Sequence, residues 1–273
     1  MGWREVDPRL VVRQLAQPLH APAALAGWLH AVHRAPPAVD LVAVYRRRNA
    51  ARVARLVARA PAGTVVHLWA LDEPAEALAT HTVGTGPGDR PALLNRLAAA
   101  GDPARWLLAC DDDVDLGQRA LGRLCRLAER AELDVCQPAH LARSYASWPF
   151  NRQRLWPLVR RTRFVEQGPC LLLSPAGRRA LVPLPEDLGM GWGLEAHFAT
   201  AAGGRLQLGV VDAVGMRHRG PVAAGYGRDA ADAHGRRALS SAGIDSYGAL
   251  QVVLDRWVPW QRRPGWTGGG SAG

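Results

Sequence analysis

The 273-residue sequence contains no lysine; all 34 of its basic residues are arginine. Without a lysine there is no Walker motif, so P-loop nucleotide binding is excluded. Cysteine is scarce as well. The four present, Cys110, Cys125, Cys136 and Cys170, include no C-x-x-C pair and sit among apolar neighbours. They form neither a zinc pattern nor a disulfide framework and read as reduced core residues. Long hydrophobic runs are missing too, since no stretch approaches the roughly 20 apolar residues of a membrane span. The opening MGWREVDPRL lacks an apolar h-region and carries Val6 where a myristoylation signal wants Ser or Thr. Together these absences predict a cytoplasmic protein.

What is present is a chain with 48% hydrophobic residues and a formal charge of +10. That length and content suffice for one full α/β core. The arginines accompany abundant Ala, Gly and Pro, a pattern of GC-rich coding, and no nucleic-acid motif goes with them. Many have a local explanation: in RVARLVAR, Arg52, Arg55 and Arg59 recur at helical spacing opposite Val53, Leu56 and Val57. A nucleic-acid partner is therefore not expected, while peripheral association with an anionic membrane stays open.

Strand and helix signals alternate along the first half. VDLVAVY (Val39 to Tyr45) predicts a strand, followed by the arginine-bearing helix; TVVHLWAL predicts a second strand ending at Asp72 and Glu73. RPALLNRLAAAG predicts a helix from Arg90 that stops at Gly101, RWLLAC a third strand, and Leu121, Leu124 and Leu127 one face of a further helix. This β-α-β-α-β-α order predicts a doubly wound, mostly parallel sheet flanked by helices, with ligands at the carboxyl ends of its strands. The second half is broken by prolines, with CLLLS and LQLGVVDAV as its clearest strands. The expectation is one domain over 1–263, in a first half of about 36–137 that begins a site and a second of about 138–263 that completes it. Residues 264–273, PGWTGGGSAG, are expected to form a flexible tail.

The segment RWLLACDDDVDL sets the chemical question, because an apolar strand ends in Asp111, Asp112 and Asp113, with Asp115 close behind. Carboxylates this close repel one another, and a cation at the strand mouth would offset the repulsion. An EF-hand loop does not fit, as Leu116 and Gly122 occupy the positions that need Gly and Glu. TVGTGPGD is glycine-rich, yet Gly84, Gly86 and Gly88 do not form the dinucleotide fingerprint. Its backbone suits either close approach to a phosphate or a plain connecting loop.

The ordered set of a strand ending in Asp72, a strand ending in D-x-D, a GPC segment, GMGWGLEAHF and VVDAVGMRHRG resembles a GT-A fold glycosyltransferase of the family 2 type. The resemblance covers roughly Val39 to Gly220. It implies a single GT-A-like domain that moves a sugar from a nucleotide-diphosphate sugar to an acceptor hydroxyl, with Mn²⁺ or Mg²⁺ as cofactor and inversion as the outcome. It further implies that Asp113 and His218 bind the metal. Asp111, Asp112, Asp72, Tyr45, Arg46 and Arg90 would contact the nucleotide sugar, with Arg90 at the diphosphate and Asp72 at the base. Glu195 would be the general base, with Trp192 and Gly193 on the acceptor side. The acceptor itself, whether glycan, lipid or small molecule, is not specified. The sequence departs from the family pattern at Ala196, where a second acidic residue usually follows Glu195. Two other readings stay open. A nucleotidyltransferase shares the sheet and the aspartates but lacks its basic glycine-rich loop here, and a non-catalytic arginine-rich protein would bind anions without a metal.

Overall fold

The computed structural model describes residues 25–26, 29, 35–221, 227–262 and 264–265. The expected tail therefore lies outside the described residues except for Pro264 and Gly265. One ten-stranded sheet organises the rest, in the order β10-β7-β9-β6-β8-β4-β1-β2-β3, with β5 attached to β9. The strands are β1 (Val39–Tyr45), β2 (Val65–Ala70), β3 (Thr82–Thr85), β4 (Trp106–Asp111), β5 (Val114–Leu116), β6 (Val135–His140), β7 (Val159–Thr162), β8 (Cys170–Leu173), β9 (Leu208–His218) and β10 (Val253–Trp257). Seven of the ten run in one direction; β5, β7 and β8 run against them. The sheet is thus mixed and mostly parallel in strand direction, in a single-domain α/β architecture.

Helices cover both faces. Helices α1 (Ala50–Ala58) and α3 (Ala120–Arg130) bury Val53, Leu56, Leu121, Leu124 and Leu127 against β1, β4 and β9. Helices α2 (Arg90–Ala99), α4 (Pro175–Leu181) and α5 (Leu194–Gly204) pack Leu94, Leu97, Leu181 and Phe198 on the other face. Helix α5 loses helical geometry from Ala201 onward. Helices α6 (Arg228–Ser241) and α7 (Tyr247–Leu250) add a small cluster around Phe164 and Leu250. Strands sandwiched this way become continuous apolar runs, which is why VDLVAVY and WLLAC stand out in the sequence.

Three buried ion-pair contacts fasten the scaffold. Asp40 on β1 accepts from Arg105 Nε (2.7 Å) and from Arg178 Nη1 on α4 (2.8 Å). On the other half, Asp212 and Arg160 join β9 to β7 at 2.7 Å, with both side chains almost fully buried. The four cysteines are buried and free, with Cys110 Sγ 3.3 Å from Cys170 Sγ across the β4–β8 pair.

Candidate active site

Strands β1, β2, β4 and β9 run in the same direction, so the residues that end them share one rim of the sheet. A cavity of about 680 Å³ opens there, of a size suited to a small-molecule ligand. Asp72, Asp111, Asp112, Asp113 and His218 all line it.

After β4 the chain turns at Asp112 and Asp113 into β5, which pairs antiparallel with the end of β9 so that Val114 faces His218. That register brings His218 Nε2 to 3.1 Å from Asp113 Oδ1. Burial pushes the Asp113 carboxyl up, but the hydrogen bond and charge of His218 outweigh it, aided by the Gly220 N–H, and hold it below the usual carboxylate range. The same contact acts on His218. Burial alone would lower its imidazole, yet Asp113 overcomes this, with Asp111 and Glu166 adding to the rise.

Each of the other aspartates has its own partner. Asp112 Oδ2 accepts from the Arg46 N–H at 2.7 Å. Burial raises its pKa against that bond and the Asn49 side chain, and the charges of Asp113 and Asp111 add to the rise. Asp111 Oδ1 accepts from Arg90 Nε at 2.9 Å. Arg90 Nη1 donates to Gln167 Oε1 at 2.6 Å, while the buried Nη2 has no hydrogen-bond partner among the described residues. The GPC segment explains itself here. A Cβ at Gly168 would stand 3.3 Å from Asp111 Oδ2 and 3.5 Å from Arg90 Nη2, so this segment runs close beside both groups. Asp72 is exposed and accepts from the Arg47 N–H at 2.8 Å.

Glu195 reaches the same cavity from the first turn of α5. The GMGWG turn delivers it: Gly191 and Gly193 have φ of +93° and +105°, a backbone region that strains other residues. A Cβ on Gly193 would also stand 2.6 Å from Ala238 Cβ. The carboxylate takes hydrogen bonds from the Gly193 and Gln167 N–H groups, each at 3.1 Å. Its side chain is buried, and that burial, with the Glu166 charge assisting, pushes its pKa up to about 7 against the backbone donors. Such a carboxyl exchanges its proton near neutral pH, the property a general base needs.

Two of the expected residues are placed elsewhere. Tyr45 is fully buried, its hydroxyl 2.9 Å from Thr82 Oγ1, and it does not line the cavity. The period of a strand explains the correction, because Leu41, Ala43 and Tyr45 share the face covered by α1, whereas Val44 and Arg46 line the cavity. Gly193 is also absent from the lining and serves Glu195 through its N–H. Arg46, Arg90 and Trp192 do line the cavity.

Several lining residues carry no mark in the sequence. Glu166 and Gln167 stand beside the GPC segment, Trp148 stacks against Tyr247 with ring centroids 4.6 Å apart, and Tyr247 comes from the last helix. Trp156, another tryptophan of the proline-broken half, is 52% exposed and does not line the cavity.

No protein-family model matches the chain, and no curated protein matches it. Solved structures do. A crystal structure of GalNAc-T7 with UDP, GalNAc and Mn²⁺ superposes with a TM-score of 0.54 at 10% identity, over 75% of this chain and 48% of that one. A structure of S. aureus TarS in complex with UDP-GlcNAc superposes with a TM-score of 0.51 at 12% identity, over 79% of this chain and 69% of that one. The chain thus spans about half the length of the GalNAc-T7 chain. At these identities the likeness establishes the GT-A fold.

Among the described residues no group of three or more His, Cys, Asp or Glu side chains is arranged to hold a metal ion. A two-residue set nevertheless fits Mg²⁺ or Mn²⁺, which are commonly held by one or two side chains while substrate phosphates complete the shell. Asp113 and His218 are such a set, one carboxylate and one imidazole beside the cavity. No helix among the described residues is long and apolar enough to cross a membrane.

Proposed function

We propose that this chain is a glycosyltransferase that moves a sugar from a nucleotide-diphosphate sugar to an acceptor hydroxyl, with inversion, using Mn²⁺ or Mg²⁺ held by Asp113 and His218. The observation that carries the proposal is that one cavity combines the Asp113–His218 pair, the unpartnered Nη2 of Arg90 and the buried carboxyl of Glu195. An unsatisfied buried guanidinium nitrogen is costly unless a ligand oxygen meets it, and a diphosphate is such a ligand. When bound, the cation supplies neutralising charge for the leaving diphosphate.

The protein's own groups do the rest. Arg90 takes a diphosphate oxygen while Asp111 fixes its guanidinium. Arg46 and Asp72, at the ends of β1 and β2, face the nucleoside. Glu195 removes the proton of the acceptor hydroxyl as that oxygen attacks the anomeric carbon, and attack on the face opposite the diphosphate inverts the configuration. Trp148 and Trp192 offer apolar faces to the acceptor.

The UDP and UDP-GlcNAc bound in the two neighbours make UDP-sugars the first donors to test. A thermal-shift screen of UDP-, GDP- and dTDP-sugars, each with and without Mn²⁺, tests the reading. One donor should raise the melting temperature in the presence of the metal and much less in its absence. Equal shifts with and without metal, or none with any nucleotide, would reject it.

A further inference from the structure

The cavity contains a second buried carboxylate for which the transfer reading has no role. Glu166 lies on the segment between β7 and β8, is 6% exposed and lines the same cavity as Glu195. Its Oε2 faces two donors, His140 Nε2 and Asn151 Nδ2, each at 3.3 Å, and its N–H donates to Gln137 Oε1 at 2.6 Å. Behind it, His140 Nδ1 lies 2.7 Å from Ser144 Oγ, which also accepts the His218 N–H at 2.8 Å.

Hydrogen-bond accounting fixes the roles along this chain. The Ser144 hydroxyl has one proton, and its candidate acceptors are His140 Nδ1 at 2.7 Å and the Tyr145 carbonyl at 3.2 Å. Given to the nearer atom, that proton leaves Nε2 as the protonated ring nitrogen, a donor to Glu166. Glu166 is then an ionised carboxylate held by the side chains of His140, Ser147 and Asn151. Burial pushes its pKa up, but His140, with the Ser147 and Asn151 hydrogen bonds, outweighs burial and holds it low. Glu195 has only backbone N–H donors, and its proton comes off near neutral pH. Two buried carboxyls in one cavity whose surroundings drive their titrations apart divide into a fixed anion and a proton-exchanging group.

We propose that Glu166 is a positioning residue: a buried anion, held by His140 and Asn151 and next in the chain to the Gln167 N–H that binds Glu195, whose charge opposes ionisation of Glu195 in the shared cavity. The proposal uses the transferase reading only for its consequence on turnover; the proton exchange itself is measurable without it. The other charged or titratable groups around the pair are the same in every variant: Tyr247 on α7 beside Glu195, Asp232 and Arg236 on α6 beside Tyr247, Arg90 bonded to Gln167, and His218, on which Glu166 also acts.

The test is carbon NMR of the full chain labelled at the glutamate carboxyl carbon, in wild type, Glu195→Gln, Glu166→Gln and Glu166→Asp. The resonance lost in Glu195→Gln should titrate near neutral pH. The resonance lost in Glu166→Gln should stay at its ionised position from about pH 5 to about pH 9 in the wild type. In folded Glu166→Gln the Glu195 midpoint should move to lower pH, and Glu166→Asp, which keeps the charge, should retain most of the wild-type value. An unmoved or raised Glu195 midpoint in Glu166→Gln would overturn the proposal. If that variant does not fold, the wild-type spectrum decides, since titration of Glu166 within that window overturns it equally. Where turnover is measured, its acid limb should follow the Glu195 midpoint in every form that keeps Glu195. Absence of turnover in the wild type with these titrations intact would count against the transferase reading and leave the assignment of Glu166 standing.

Discussion

A carboxyl that titrates near neutrality inside a protein makes both folding and chemistry respond to pH. The folded pKa of Glu195 is about 7, above its unfolded value of 4.5, so between those values the folded state holds more protons. Stability must then fall as pH rises through that window, by about 3 kcal/mol at 1.36 kcal/mol per unit. Glu195→Gln should flatten that fall, measured as urea unfolding at pH 5 and pH 8. The same variant should lower turnover by roughly 10²–10⁴-fold with donor affinity nearly intact, and wild-type turnover should rise with pH through about 7. Equal turnover under conditions where chemistry limits the rate would move Glu195 to a structural role. At His218 the titration acts on metal binding. Its imidazole is raised by Asp113 and must lose its proton to hold a cation, so Mn²⁺ affinity should weaken as pH falls through that titration. Calorimetry on His218→Ala should find that part of the pH dependence gone. At this scale the sequence was legible where a residue ends an apolar strand, as Asp111 and Asp72 do. It was misleading at Tyr45, whose side chain points by strand parity to the helix-covered face, and silent at Glu166, whose role depends on His140 and Asn151, brought to it by the fold.

At the scale of elements, β1, α1, β2, α2 and β4 could be read almost to their ends and α3 by its buried face, because most are apolar strands or helices with a recognisable period. Strands β5, β7 and β10 could not. They are short, and two of them alternate polar and apolar residues weakly, so their identity comes from pairing with β9 and β7. Yet β5 is what brings Asp113 to His218, so the element hardest to see positions the candidate metal pair. A second hidden device is Asp40, one carboxylate that holds arginines from two segments against β1. Removing its charge leaves two largely buried guanidiniums uncompensated. Asp40→Asn should therefore destabilise the fold by roughly 3–5 kcal/mol in denaturant unfolding. The cavity residues make no contact with Asp40, so nucleotide affinity at temperatures where the variant is folded should be unchanged. A loss below 1 kcal/mol would mean that the pair is relaxed by water or by alternative partners.

For the whole molecule, the count of 34 arginines overstates what the surface offers to a polyanion. Arg160 and Arg178 are 1% and 3% exposed and are spent on Asp212, Asp40 and backbone carbonyls. Arginine in this sequence is partly a building material, which composition alone does not reveal. The doubly wound layout was legible because alternating strands and helices admit few parallel topologies. The reversal of β8 and the return of β9 beside β6 were not, since they depend on long-range pairing in the proline-broken half. Those two features carry the GPC segment and His218 to the aspartates and so make one cavity from two halves of the chain. The central claim is that this cavity binds a nucleotide diphosphate together with a divalent cation at Asp113. Calorimetric titration of UDP, GDP and dTDP into wild type and Asp113→Asn, each with and without Mn²⁺, tests it most directly. The account predicts that one nucleotide binds the wild type more tightly with Mn²⁺ and that Asp113→Asn, still folded, loses this metal-dependent gain; an equal gain in the variant would contradict it.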